Sequence, residues 1–137
     1  MNDQVDILAV NAAFYAAFAS GNVEELARLW ANDDAISCIH PGWPAIVGRA
    51  AVIGSWRDIL VSPNRPQIVC REPYAIVSGD SGWVLCIELV GSMPLAASNH
   101  FRRIDRAWRL VHHQSSPIAQ IAGEAAADPP TGLRQIH

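Results

Sequence analysis

The hydrophobic pattern of this chain changes period once, near Pro63, and that change limits the folds open to it. Before it, apolar residues recur at helical spacing; after it, they alternate or run together as strands do. Val5 to Ser20 carries Ile7, Val10, Phe14, Ala17 and Phe18 on a helical stripe that Gly21-Asn22 ends. Asn22 can cap a second helix, with Glu24 and Glu25 in its first turn and Leu26, Leu29 and Trp30 on its buried side. A short strand, Ala35 to Ile39, is broken by His40-Pro41-Gly42-Trp43-Pro44. Gly48-Arg49 then opens a third helix that buries Val52, Ile53, Trp56 and Leu60. Four strands are expected beyond it, over 67–78, 83–90, 95–104 and 108–116, with turns at 79–82, 91–94 and Asp105-Arg106. Helices first and antiparallel strands after predict an α+β fold, a cone-shaped curved antiparallel sheet wrapped around three N-terminal helices. The mouth of such a cone is a natural small-molecule pocket.

The 137 residues suit one domain, expected over 1–117, with the Ala-rich stretch and Asp128-Pro129-Pro130 forming a loosely held tail over 118–137. Half the residues are apolar and 17% are charged, which excludes a disordered chain. Ten Arg, no Lys and 13 acidic residues leave a net charge of -3, so neither nucleic acid nor an anionic membrane is an expected partner. No apolar run approaches the ~20 residues of a membrane span, and the first residues, Asn2-Asp3-Gln4-Val5-Asp6, do not resemble a signal peptide. Cys38, Cys70 and Cys86 each sit in an apolar strand-like run and read as reduced core residues of a cytoplasmic protein. Phosphate-loop, dinucleotide, HExxH and CxxC motifs are all absent, so any site must be assembled by convergence of side chains in the fold.

Glu88 is the most informative residue. It interrupts the apolar run from Trp83 to Val90, and alternation puts it on one face with Val84 and Cys86, opposite Trp83, Leu85, Ile87 and Leu89. A lone buried carboxylate costs several kcal/mol unless it is paired, hydrogen-bonded or protonated. Two readings follow: a proton-transfer group facing the cone, or a structural ion pair with Arg71, Arg103 or another Arg. The apolar opposite face suits a contact with a second copy of the chain, giving a homodimer. His40 alternates with Cys38 and Ile36 at a strand end beside Trp43, the best placed of five Trp to close a pocket. An imidazole near Glu88 would make an acid/base pair; otherwise the histidines are hydrogen-bonded interior residues. Cys38, His40, His100, His112 and His113 are scattered over strands rather than paired on turns, so no metal is expected, and no cofactor. The arginines at 102, 103, 106 and 109 read as a solvated hairpin.

Ser20-Gly21-Asn22, the stretch Leu29 to Ala35, His40-Pro41-Gly42, Gly48 to Val52 and the ending Phe101 to His113 follow one another in a recognisable order. Taken together they resemble the nuclear transport factor 2-like superfamily, and its SnoaL-like members in particular. That fold hosts isomerases, dehydratases, cyclases and non-catalytic adaptors. The ending is also similar to the association domain of calcium/calmodulin-dependent kinases, an oligomerisation module. Against ketosteroid isomerases of the superfamily, the catalytic Asp-Pro pair falls at His40-Pro41 and the oxyanion-binding acid at Asn99. The oxyanion Tyr falls at Phe14, with Tyr15 expected to point elsewhere. The acid-plus-Tyr oxyanion hole is therefore missing, although a His base with an Asn donor would serve related chemistry.

The same register turns Val111, His113 and Ser115 inward and His112 outward with Leu110 and Gln114. The expected catalytic set is thus Glu88, His40, His113 and Asn99, in a pocket lined by Phe14, Cys38, Trp43, Trp56, Phe101 and Arg103. The expected ligand is a small apolar or aromatic carbonyl compound, and the expected chemistry is proton transfer: isomerisation, dehydration or cyclisation. The alternative is a non-catalytic binding or oligomerisation module.

Overall fold

The computed structural model describes residues 2–119, and the expected tail lies almost wholly outside the described residues. Helix α1 (Asp3–Ser20) starts at Asn2, whose side chain accepts from the Gln4 and Val5 amides, and ends at Gly21, whose left-handed φ of 70° a residue with a Cβ rarely adopts. Helix α2 (Val23–Leu29) is capped by Asn22, as its sequence predicts. After the short strands β1 (Ser37–Ile39) and β2 (Ile46–Val47) comes helix α3 (Arg49–Val61), and then the four long strands β3 (Ile68–Ser78), β4 (Ser81–Val90), β5 (Met93–Ile104) and β6 (Ala107–Pro117).

The strands form one curved, unclosed sheet in the order β2-β1-β6-β5-β4-β3. The long strands pair antiparallel, but β1 runs parallel to β6, pairing Cys38 with His113, so the sheet is mixed rather than purely antiparallel. The expected turns at 79–82 and 91–94 are tighter than predicted: Ser81-Gly82 and Met93-Pro94 already belong to strands.

Alternation on β4 is as predicted: Val84, Cys86 and Glu88 are buried, while Trp83 and Leu85 are exposed. On β6 it fails at one point. A register shift opposite His100 and Phe101 inserts an extra residue, so Leu110 and Val111 both face inward. Leu110, expected outward, is fully buried. His113 and Ser115 stay inward, as expected.

Helix α1 fills the narrow part of the cone. Ile7, Asn11, Phe14, Tyr15 and Phe18 occupy one face of it, spaced at three, four or seven residues, and all are buried. Tyr15 was expected to point elsewhere; being four residues from Asn11, it shares the buried face. At the N-terminal end Ile7 presses on Gly82, where an added Cβ would lie 2.4 Å from the Ile7 Cδ1. Nothing larger than glycine lets the helix sit that close.

Candidate active site

Beyond the C-terminal half of α1 the cone is open and holds a cavity of about 330 Å³. Its walls are apolar, with Phe14, Phe18, Trp56, Ile68 and Leu95 facing one another. Two imidazoles and a carboxyl reach into this apolar surface, His40, His113 and Glu88, each no more than 3% exposed, and the Tyr15 phenol lies beside them. Trp43 stands at the mouth, half exposed, its ring 5.0 Å from the His40 ring.

Each polar group is held by a neighbour on another element. Glu88 on β4 accepts from the Tyr15 hydroxyl of α1 at 2.6 Å through Oε2 and from the Ser115 hydroxyl of β6 at 2.8 Å through Oε1. The His113 Nε2 lies 4.0 Å from the Glu88 Oε2, and its Nδ1 lies 2.5 Å from the Asn99 Oδ1. His40, at the end of β1, has its Nε2 2.9 Å from the Ser55 Oγ of α3. That hydroxyl gives its own hydrogen to the Val52 carbonyl at 2.7 Å, so His40 must donate from Nε2 and keep Nδ1 bare. Edge-on contacts with Trp56, at 4.6 Å for His40 and 5.3 Å for His113, hold both imidazoles at the cavity wall.

No arginine pairs with Glu88 among the described residues, and its two partners are neutral hydroxyls. Burial therefore dominates and raises its carboxyl above the ordinary range, against the lowering effect of those hydrogen bonds and of nearby His40. Burial pushes His40 down to about 4 and His113 down to about 3. The floor of the cavity thus shifts Glu88 toward its protonated form and both imidazoles toward their neutral forms. Burial, and after it the proximity of Glu88 and Cys86, push the Tyr15 phenol well above its ordinary range and keep it protonated.

The cavity surface includes Phe14, His40, Trp43, Trp56, Glu88 and His113 of the expected set, and Tyr15, which sequence reasoning passed over. The other four lie elsewhere. Asn99 sits behind His113, wholly buried, with its amide hydrogens taken by Asn11 and Tyr15, so it has no free donor for a substrate oxyanion. Cys38 is covered, its sulfur 3.7 Å from the His40 Nε2, and burial raises its thiol to about 12. Phe101 and Arg103 lie on β5 beyond Asn99, at the narrow end that α1 occupies. Phe101 lies six residue steps along the strand from Leu95, on the cavity, roughly 20 Å at strand rise. Arg103 there pairs with Asp3 at 2.6 Å and Asp80 at 3.1 Å, its guanidinium over the Trp108 ring. Among the described residues no group of three or more His, Cys, Asp or Glu is placed to hold a metal ion.

Comparison with known proteins bears on this geometry. A candidate dehydratase of the nuclear transport factor 2-like family from Streptomyces avermitilis is similar in structure, with a TM-score of 0.77 and 31% identity, over 86% of this chain and 97% of that one. A candidate calcium/calmodulin-dependent protein kinase type II association domain from Thiobacillus denitrificans gives a TM-score of 0.73 and 32% identity, over 80% of this chain and 93% of that one. Among curated proteins, the F-box protein SKIP8 of Arabidopsis thaliana is 29% identical over 121 residues. The match takes in 80% of this chain but 48% of that protein, so the chain spans about half the length of this relative. The SnoaL-like domain model matches residues 7–120, from the second turn of α1 through the end of β6. The chain belongs to the SnoaL-like domain family, within the nuclear transport factor 2-like superfamily.

Proposed function

We propose that the cone binds a small apolar carbonyl compound and eliminates water from it by proton transfer between Glu88 and His113. The observation that carries this is the 4.0 Å approach of a buried carboxyl, paired with no arginine among the described residues, to an imidazole nitrogen on the surface of an apolar cavity. Elimination from a β-hydroxy carbonyl compound needs one group to give a proton to the departing hydroxyl and another to take the α-proton. A neutral Glu88 supplies the first. His113 supplies the second, although burial makes it a weak base while Glu88 is neutral. The two weaknesses correct each other. Once Glu88 has given up its proton, a negative charge about 4 Å away favours the imidazolium by about 4 kcal/mol at an effective dielectric of about 20. That is roughly a thousandfold in imidazole basicity. The likeness to a candidate dehydratase supports elimination over isomerisation or cyclisation.

The test is turnover of a panel of aromatic β-hydroxy ketones by the protein and by Glu88→Gln. Formation of enone by the first and not the second is expected. Equal rates for the two proteins, or none with either across the panel, refute the reading.

A second observation favours self-association beside catalysis. The convex sheet face exposes Tyr74, Ile76, Trp83 and Leu85 together, with Trp83 stacked on His100 at 4.2 Å, and no helix among the described residues covers it. We read this face as the homodimer contact, with support from the likeness to a kinase association domain. Sedimentation of the protein and of Leu85→Glu should show a dimer that the charge breaks; a 14.9 kDa monomer for the unaltered chain refutes it. The three free thiols support a cytoplasmic setting.

A further inference from the structure

Asn11 touches no part of the cavity surface, yet the hydrogen bonds that run through it decide which nitrogen of His113 is free. The Asn99 Nδ2 donates to the Asn11 Oδ1 at 2.8 Å and to the Tyr15 hydroxyl oxygen at 3.2 Å. Its other end, Oδ1, is therefore the atom turned to the His113 Nδ1 at 2.5 Å. A carbonyl oxygen only accepts, so His113 carries its hydrogen on Nδ1. A neutral imidazole has one N–H, which leaves Nε2 with a bare lone pair. Nε2 is the nitrogen that faces Glu88.

This wiring is not free to reverse. Tyr15 has given its hydrogen to Glu88 at 2.6 Å, so toward Asn99 its oxygen can only accept. Asn11 points its own Nδ2 at the Cys70 sulfur, 3.8 Å away, which leaves its carbonyl for Asn99. The opposite tautomer would require both amides to rotate and the Tyr15 hydrogen to leave Glu88.

We propose that Asn11 is a positioning residue for His113. By accepting from the Asn99 amide, it holds that amide with its carbonyl toward the imidazole and keeps Nε2 unprotonated against Glu88. The proposal rests on the proton-transfer reading above for its purpose, but not for its test. An inward Asn four residues before Tyr15 on the same helix face is thus part of the site rather than an isolated core polar group.

Long-range proton–nitrogen NMR correlation near pH 7 reports the tautomer directly, with the His113 signals assigned by their loss in His113→Gln. In the unaltered protein Nδ1 is expected in the protonated range and Nε2 in the bare range; the reverse overturns the proposal. Asn11→Leu, similar in size but unable to accept, should let a second tautomer appear at a tenth or more of the population. Asn11→Asp retains an accepting oxygen and should restore the single tautomer. An unchanged tautomer in folded Asn11→Leu also overturns the proposal, and if that variant does not fold, the unaltered protein and Asn11→Asp still decide. A Glu88 that proves ionised would end the proton-transfer reading while leaving the tautomer as found, so the two failures are distinguishable.

Discussion

Acidification should unfold this domain earlier than its surface charges require, and the cause is the pair of buried imidazoles. His40 and His113 lie at about 4 and about 3 in the fold, against an ordinary value of 6.5. A depressed folded value means the stability is fully present above about 6.5 and is lost as pH falls toward the folded values. Between roughly pH 6 and pH 5 the unfolded chain takes up nearly two protons that the native chain refuses, a slope of about 2.5 kcal/mol per pH unit. Glu88 works the other way. Its raised carboxyl keeps a proton in the fold that the unfolded chain releases, so its contribution is present at low pH and lost as pH rises through its folded value. At most it cancels one of the two protons, leaving a net slope of about 1 to 2.5 kcal/mol per pH unit. His100, lowered by burial and by His112 and Arg102, adds to the loss. Against a total stability of about 5–15 kcal/mol for a domain, that is readily measured from urea midpoints at fixed ionic strength. The same series on Glu88→Gln should be steeper by up to one proton. A stability that stays flat from pH 6.5 to pH 5 would show that both imidazoles protonate freely in the fold, and would refute the account of burial.

Other perturbations follow from the same contacts. At pH 7, Glu88→Gln should shift the melting temperature by less than about 4 °C or raise it, since no cation is stranded; a fall of about 10 °C or more would mean a broken ion pair. Gly82→Ala drives a methyl against Ile7 and should cost about 1–3 kcal/mol. The penalty should shrink in an Ile7→Val background, which lacks the clashing Cδ1, and simple additivity of the two changes would contradict the packing described. Cys38, fully buried and with its thiol raised to about 12, should react with a bulky thiol reagent only after unfolding; fast modification of the native protein would place it on the cavity instead.

The helices and long strands were legible because each carries enough residues to display its period, as the stripe from Ile7 to Phe18 and the alternation of Val84, Cys86 and Glu88 do. Strand β2 has two residues and no period to show. The parallel pairing of β1 with β6 depends on where Cys38 meets His113 in space, which no local pattern encodes. Counting by twos along β6 placed Leu110 outward because it stepped across the bulge opposite His100 and Phe101.

The same limits shaped the site. Glu88 was conspicuous as a carboxylate in an apolar run, and His40 and His113 could be assigned to the inner face. Depth along a strand was not visible, so Phe101 and Arg103 were placed in a cavity that ends well before them, where α1 fills the cone. Tyr15 and Asn11 were missed although a signal existed: two polar residues four apart inside an otherwise apolar helical stripe. Such a pair buried on one face must find partners, and here the partners are Glu88 and Asn99.

The proposed chemistry requires Glu88 to be a neutral acid in the apolar cavity, held by two hydroxyls and faced by a bare imidazole. Labelling glutamate side-chain carboxyls with carbon-13 and following their chemical shifts from pH 3 to pH 9 tests it most directly, with Glu88→Gln identifying the signal. One carboxyl should titrate well above the others, and its transition should perturb His113. If every glutamate titrates within or below the ordinary carboxylate range, Glu88 is a buried anion, and the proton-transfer account of this cavity is wrong.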